Sequence, residues 1–185
     1  DASVGKTCIA GIIRNNQFDD KSVPTVGADD IVVNLSYDNK NCVFKLWDTA
    51  GQEKFQALAP MYIRGCHVVL LVFDLTRPDT LQNINTWFGI ISQTQQRDMP
   101  KIILIGNKHD LPDQKVTPSD RIEKVAELKK LVDIPIQITS LDMSAKTRDG
   151  EDILKPMLLD YILSIEEPNE SHSVTINKSD QSYCC

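Results

Sequence analysis

Apolar positions alternate along the chain between helical spacing and short continuous runs, and that alternation predicts an order of elements. Cys8, Ile9, Ile12 and Ile13 recur at helical spacing directly after Gly5-Lys6-Thr7, and Asn15-Asn16 offers a stop. Phe18 to Asp29 is polar and carries Pro24 and Gly27, the composition of an exposed loop. Ile31 to Leu35 and Cys42 to Trp47 are strand-like runs joined through Tyr37-Asp38-Asn39-Lys40, which predicts an antiparallel hairpin. Lys54 to Ile63 is weakly helical.

His67 to Phe73 is apolar on both faces, as a strand buried inside a parallel sheet reads. Leu81, Ile84, Trp87, Phe88 and Ile91 then keep helical register, with Asp79 or Thr80 as N-cap. Lys101 to Gly106 is a second buried strand. Thr117-Pro118 supplies an N-cap followed by proline at the first helical position, and Ile122, Val125, Ala126 and Leu131 form the apolar face. Ile134 to Thr139 reads as the last strand, and Gly150 to Ile165 as a helix that Pro156 either kinks or opens. From Glu166 onward the chain is polar and rich in Ser and Asn, so residues 166–185 are expected to be a disordered tail. Strands alternating with helices define an α/β class: a three-layer sandwich of a mostly parallel sheet, one antiparallel strand and helices on both faces. Ligands of such sheets bind at the carboxyl ends of the strands.

Composition narrows the function classes. A chain of 185 residues suits one domain, and a net charge of −6 with pI near 5.0 argues against a nucleic-acid partner held by diffuse phosphate attraction. Five cysteines, unevenly placed, do not make a secreted disulfide framework; Cys8, Cys42 and Cys66 lie in apolar segments and read as buried thiols. The longest apolar run, Val68 to Phe73, is far too short to span a bilayer, and the cytosol is the default compartment. The sequence opens on Asp1 with no strand ahead of its first motif, so an N-terminally truncated chain is expected.

Every chemical motif after the first falls at a predicted strand end. Asp1-Ala2-Ser3-Val4-Gly5-Lys6-Thr7 reads as the back half of a phosphate-binding loop: backbone N–H groups and a helix N-terminus face an anion, Lys6 adds charge and the Thr7 hydroxyl can ligate Mg²⁺. In Asp48-Thr-Ala-Gly-Gln-Glu a carboxylate can hold Mg²⁺ through water, Gly51 lets its N–H approach a terminal phosphate, and Gln52 can orient an attacking water. Asn107-Lys108-His109-Asp110 offers a carboxylate that accepts from two adjacent donors. Guanine presents such a pair on one edge and adenine does not.

Gly5-Lys6-Thr7, Thr25, Asp48-Thr-Ala-Gly-Gln, Asn107-Lys-His-Asp and Ser144-Ala-Lys, in this order, resemble the Ras-like small GTPases over residues 1–165. Lys45-Leu46-Trp47, Tyr62 with Arg64-Gly65, Leu71 to Thr76 and the terminal Cys184-Cys185 look like the Rab branch. The resemblance implies a P-loop NTPase-like fold lacking its first strand and the start of the loop. It implies a GTP-binding and GTP-hydrolysing switch of vesicle trafficking, with these residues alone binding GTP poorly. Ser3, Val4, Gly5, Lys6, Thr7 and Cys8 would cradle phosphate, Lys6 on the β- and γ-phosphates. Thr7, Thr25 and Asp48 would hold Mg²⁺, Gly51 would sense the γ-phosphate and Gln52 would act in catalysis. Phe18 would flank the base, and Asn107, Lys108, Asp110, Ser144, Ala145 and Lys146 would enclose it.

Cys184 and Cys185 would be prenylated, anchoring the protein at the cytoplasmic face of intracellular membranes. Implied partners are a GTPase-activating protein, an exchange factor and effectors at the loops around Thr25 and Gly51, with prenylation and membrane-extraction machinery at the tail. A Ras- or Rho-type signalling switch, or a nucleotide-free interaction module, are the alternatives. Ala28-Asp29-Asp30 departs from the Val-Asp-Phe usual in Rabs, Ile63 stands where a second Tyr is usual, and Leu141-Asp142-Met143 looks inserted before Ser144.

Overall fold

The computed structural model describes residues 1–14, 18, 23–95, 99–164 and, as backbone alone, 182–184. The expected stop at Asn15-Asn16 and most of the expected disordered tail lie outside these residues. Element order is α1 (Lys6–Ile13), β1 (Ala28–Tyr37), β2 (Lys40–Thr49), a 3-10 turn (Glu53–Leu58), α2 (Ala59–Ile63), β3 (Cys66–Asp74), α3 (Pro78–Gln82), α4 (Ile84–Thr94), β4 (Lys101–Asn107), α5 (Pro118–Lys130), β5 (Ile138–Asp142), α6 (Glu151–Leu163) and β6 (Ser182–Cys184).

One sheet runs β1-β2-β6-β3-β4-β5, antiparallel between β1 and β2 and parallel elsewhere. The period of two along β3 sorts the core. Val68, Leu70 and Val72 join α1 and α6 on one face, while Val69, Leu71 and Phe73 join α2, α4 and Leu128 of α5 on the other. Both clusters contain fully enclosed side chains such as Ile9 and Ile103, or Phe73 and Phe88. Each such side chain contributes about 1.5–3 kcal/mol of transfer free energy. This is the three-layer α/β sandwich expected from the pattern.

The hairpin is longer than its apolar core predicts, because polar residues at both ends continue the ladder from Ala28↔Thr49 to Tyr37↔Lys40. Asp38 and Asn39 close it with φ of 46° and 62°, conformations these two residue types tolerate. At α3 the expectation of a cap at Asp79 or Thr80 fails. Arg77 holds the N-cap position without a side-chain bond, and the helical pattern divides at Asn83. The Thr80 hydroxyl is buried and turned back, donating to Arg77 O at 2.6 Å and accepting from Asp74 N–H at 3.0 Å.

Thr117 behaves as expected, in a capping box with Asp120 ahead of Pro118. The last core strand is displaced: it covers Ile138–Asp142 rather than Ile134 to Thr139. Leu141 and Asp142, which look inserted in sequence, are its final residues. Pro156 neither starts nor ends α6 but lies inside it. Cys8 and Cys42, expected as buried, are half-buried, whereas Cys66, expected as a thiol, is buried and disulfide-bonded. The tail also differs from expectation, since Ser182–Cys184 pair as a strand between β2 and β3, where the resemblance implies that two strands lose a ladder partner.

Candidate functional site

A cleft of about 370 Å³ opens at the carboxyl ends of the parallel strands. Residues that meet there come from the α1 loop, the segment before β1, the segment after β2, and the loops after β4 and β5. Five expected nucleotide-contacting stretches thus converge, although sequence separates them by up to the length of the domain.

The first wall is the turn into α1. Gly5 has φ +99°, and a Cβ there would collide with the Asn107 amide, so only glycine lets the loop close against β4. Asn107 is buried and holds two loops at once. Its Nδ2 donates to Val4 O at 2.8 Å, and its Oδ1 accepts from Ala145 N–H at 3.0 Å. Val4 is enclosed in the core rather than lining the cleft, whereas Ser3, Gly5, Lys6, Thr7 and Cys8 line it. The α1 start has no capping side chain and no acidic residue in its first turn, which leaves its N–H groups and dipole suited to an anion. Lys6 Nζ donates to Asp1 O at 2.6 Å. Gly51 lies so close to this pair that a Cβ on it would strike both Asp1 O and Lys6 Nζ.

Three oxygen-bearing side chains meet beside the loop. Thr7 Oγ1 donates to Asp48 Oδ2 at 2.6 Å, the Thr7 and Thr25 hydroxyls lie 3.0 Å apart, and Thr25 Oγ1 reaches Asp48 Oδ2 at 3.3 Å. Burial pushes the Asp48 carboxyl above its ordinary pKa, against the opposing effects of the Thr7 bond and the Lys6 charge. Its Oδ1 is buried without a hydrogen-bond partner. An orphaned carboxylate oxygen beside two hydroxyls is a hard-oxygen set that fits Mg²⁺ bound through one carboxylate and substrate phosphates. Among the described residues no cluster of three His, Cys, Asp or Glu offers an all-protein metal cage.

At the far end Lys108, Asp110, Ala145 and Lys146 line the cleft with Phe18. Ser144 lies behind them, fully buried, and donates to Asp110 Oδ1 at 2.6 Å, which fixes that carboxylate. Lys108 adopts φ +68°, and its Nζ pairs with Asp74 Oδ2 at 2.7 Å. Desolvation raises the Asp74 pKa, but the Lys108 and Thr76 hydrogen bonds outweigh it and hold the carboxyl below its ordinary value. Sequence reasoning missed Asp74 as a support of this wall. The available signal was a carboxylate closing the apolar run Val68 to Phe73. It also missed Leu111 and Pro24, which line the cleft without polar chemistry to mark them. Gln52 lines the cleft beside Gly51. The Cys184 side chain and Cys185 lie outside the description.

The family model described as "Ras family" matches residues 1–156. The chain belongs to the Ras family. It is 35% identical over 127 residues to the Ras-related protein Rab-1D of Dictyostelium discoideum, covering 69% of this chain and 62% of that relative. It is 35% identical over 126 residues to Rab-8A of Pongo abelii, covering 68% of this chain and 60% of the relative. The corresponding figures for Rab-10 of Caenorhabditis elegans are 35% over 127 residues, 69% and 63%. The chain therefore spans less than two thirds of the length of these relatives.

Proposed function

We propose that this chain is a GTP-binding and GTP-hydrolysing switch of the Rab type, acting in membrane trafficking. The observation that carries the reading is the meeting, in one cleft, of the α1 turn, the Thr7–Thr25–Asp48 oxygen cluster, Gln52 and the fixed carboxylate of Asp110. The Rab names of the relatives and the family match support it.

In this reading the α1 N–H groups and Lys6 bind the phosphates, Lys6 exchanging Asp1 O for phosphate oxygen. Asp110 accepts from the two donors on one edge of guanine while Ser144 holds its rotamer, and Phe18 and Lys108 flank the ring. Gln52 orients water toward the γ-phosphorus. The new bond joins water oxygen to phosphorus, the bond from phosphorus to the β–γ bridging oxygen breaks, and GDP and phosphate leave. Mg²⁺, held by Thr7, Thr25 and Asp48, would neutralise charge on the β- and γ-phosphates. No arginine lines the cleft among the described residues, so turnover is slow unless a partner supplies a cation.

Loss of the γ-phosphate releases the segments around Thr25 and Gly51, and this change is what an exchange factor, an activating protein and effectors read. The terminal Cys184-Cys185 are the proposed lipid-attachment site, giving a cytosolic and membrane-bound distribution. A fluorescent guanine-nucleotide titration of the chain, competed with GDP and ADP in Mg²⁺, tests the reading. Displacement by GDP and not ADP supports it at any affinity, including the weak one expected of these residues alone; equal competition by ADP overturns it.

A further inference from the structure

At the base end of the cleft β4 runs out into residues 107–110 and β5 into residues 143–149. Bonds near the start of the second segment join it to the first: His109 N–H to Met143 O at 3.0 Å, Ser144 Oγ to Asp110 Oδ1, and Ala145 N–H to Asn107 Oδ1. Ala145 and Lys146 line the cleft immediately after. Beyond them the second segment returns to the first through side chains, since Asp149 Oδ2 lies 2.8 Å from His109 Nδ1. A carboxylate oxygen only accepts, so Nδ1 carries the proton and donates. Both partners are also held from behind. Gln114 Nε2 donates to His109 O at 2.8 Å, and Ser144 N–H donates to Asp149 O at 3.0 Å. The neighbouring Arg148 is bonded to Glu151 of α6, not to the first segment. Neither His109 nor Asp149 lines the cleft, so the pair touches a ligand only through the residues between its ties.

We propose that His109 and Asp149 are positioning residues, a clasp that closes the two base-enclosing segments on each other and slows the escape of a bound guanine nucleotide. This rests on the guanine-nucleotide reading above. Ala145 and Lys146 are pinned on both sides, at Ser144 by Asp110 and at Asp149 by His109. Release of an enclosed base requires this stretch to open, and opening breaks the pair. Entry into an open stretch does not, so the clasp acts on dissociation and not on association. The side chains are 44% and 59% exposed, which keeps the effect modest, at roughly two- to five-fold in rate. Backbone bonds that already fix both residues reduce the ordering cost that cancels many surface pairs.

Stopped-flow release of GDP carrying a ribose fluorophore, chased with unlabelled GDP, measures the clasp. His109→Ala and Asp149→Ala should each speed release roughly two- to five-fold, and the double variant no more than either alone. Association should stay within about two-fold. The acceleration should persist in chelator, because the pair acts at the base end and the metal at the phosphates. His109→Asn keeps an N–H donor near the position of Nδ1 and should recover most of the wild-type rate. Unchanged release, additive single effects, or no recovery in His109→Asn overturns the proposal. Equal competition by GDP and ADP would remove the guanine reading, and hydrogen exchange at the Ser144 amide in the nucleotide-free chain then decides the clasp by itself. Faster exchange in Asp149→Ala than in the wild type keeps it; equal exchange removes it.

Discussion

Thr7 donates its hydroxyl proton to Asp48 across 2.6 Å, which ties the first turn of α1 to the end of β2 at a carboxyl whose other oxygen is buried and unpartnered. Mg²⁺ added to the GDP-loaded chain should therefore raise its melting temperature, and Asp48→Asn should erase most of that increment while leaving the chain folded. Differential scanning fluorimetry with and without chelator checks it. An equal increment in both proteins would remove Asp48 from the metal site.

Asn107 is a structural staple before it is a ligand group, because both of its bonds, to Val4 O and from Ala145 N–H, are buried. Asn107→Ala should cost roughly 2–4 kcal/mol in urea denaturation. Guanine-nucleotide affinity should fall with it, since the phosphate loop and the base-enclosing loop lose their common anchor. Loss of affinity with stability unchanged would restrict Asn107 to ligand contact.

Gln52→Leu should slow single-turnover GTP hydrolysis by on the order of ten-fold or more, while GTP affinity stays within about two-fold. The side chain lines the cleft but belongs to none of the anchoring bonds described above. Rapid-quench measurement on the nucleotide-loaded chain gives the rate, and an unchanged rate would exclude Gln52 from positioning water.

Glu151 supplies a pH signature away from the cleft. It accepts from Arg148 Nη2 at 2.8 Å and Lys155 Nζ at 2.6 Å, and the Arg148 hydrogen bonds chiefly, then Lys155, lower its pKa from 4.5 to about 2. A lowered carboxyl pKa contributes stability that is present in full above 4.5 and is lost as pH falls toward 2. Glu151→Gln should therefore cost roughly 1–3 kcal/mol at neutral pH. The difference between the two proteins should narrow across that acidic window. A gap independent of pH would assign the loss to packing.

Patterns carried by one residue type at a fixed spacing were legible in the sequence: the β3 and β4 cores, the Thr117-Pro118 helix start, and the motifs that meet in the cleft. What stayed illegible depends on tertiary partners. Polar Ala28-Asp29-Asp30 is strand because β2 offers it a ladder, and Thr80 abandons a cap because Asp74 and Arg77 are nearer. Asp142 belongs to β5 through its pairing with Gly106, and residues 182–184 are strand through their pairing with β2 and β3. Asp74 could not be placed beside Lys108 before the parallel register of β3 and β4 was known.

The position of β1 also bears on association between copies. It is an outer strand of the sheet and pairs with β2 alone, and Asp29 and Asp30 near its start are exposed. Charged side chains on an edge strand oppose strand-to-strand pairing with a second molecule.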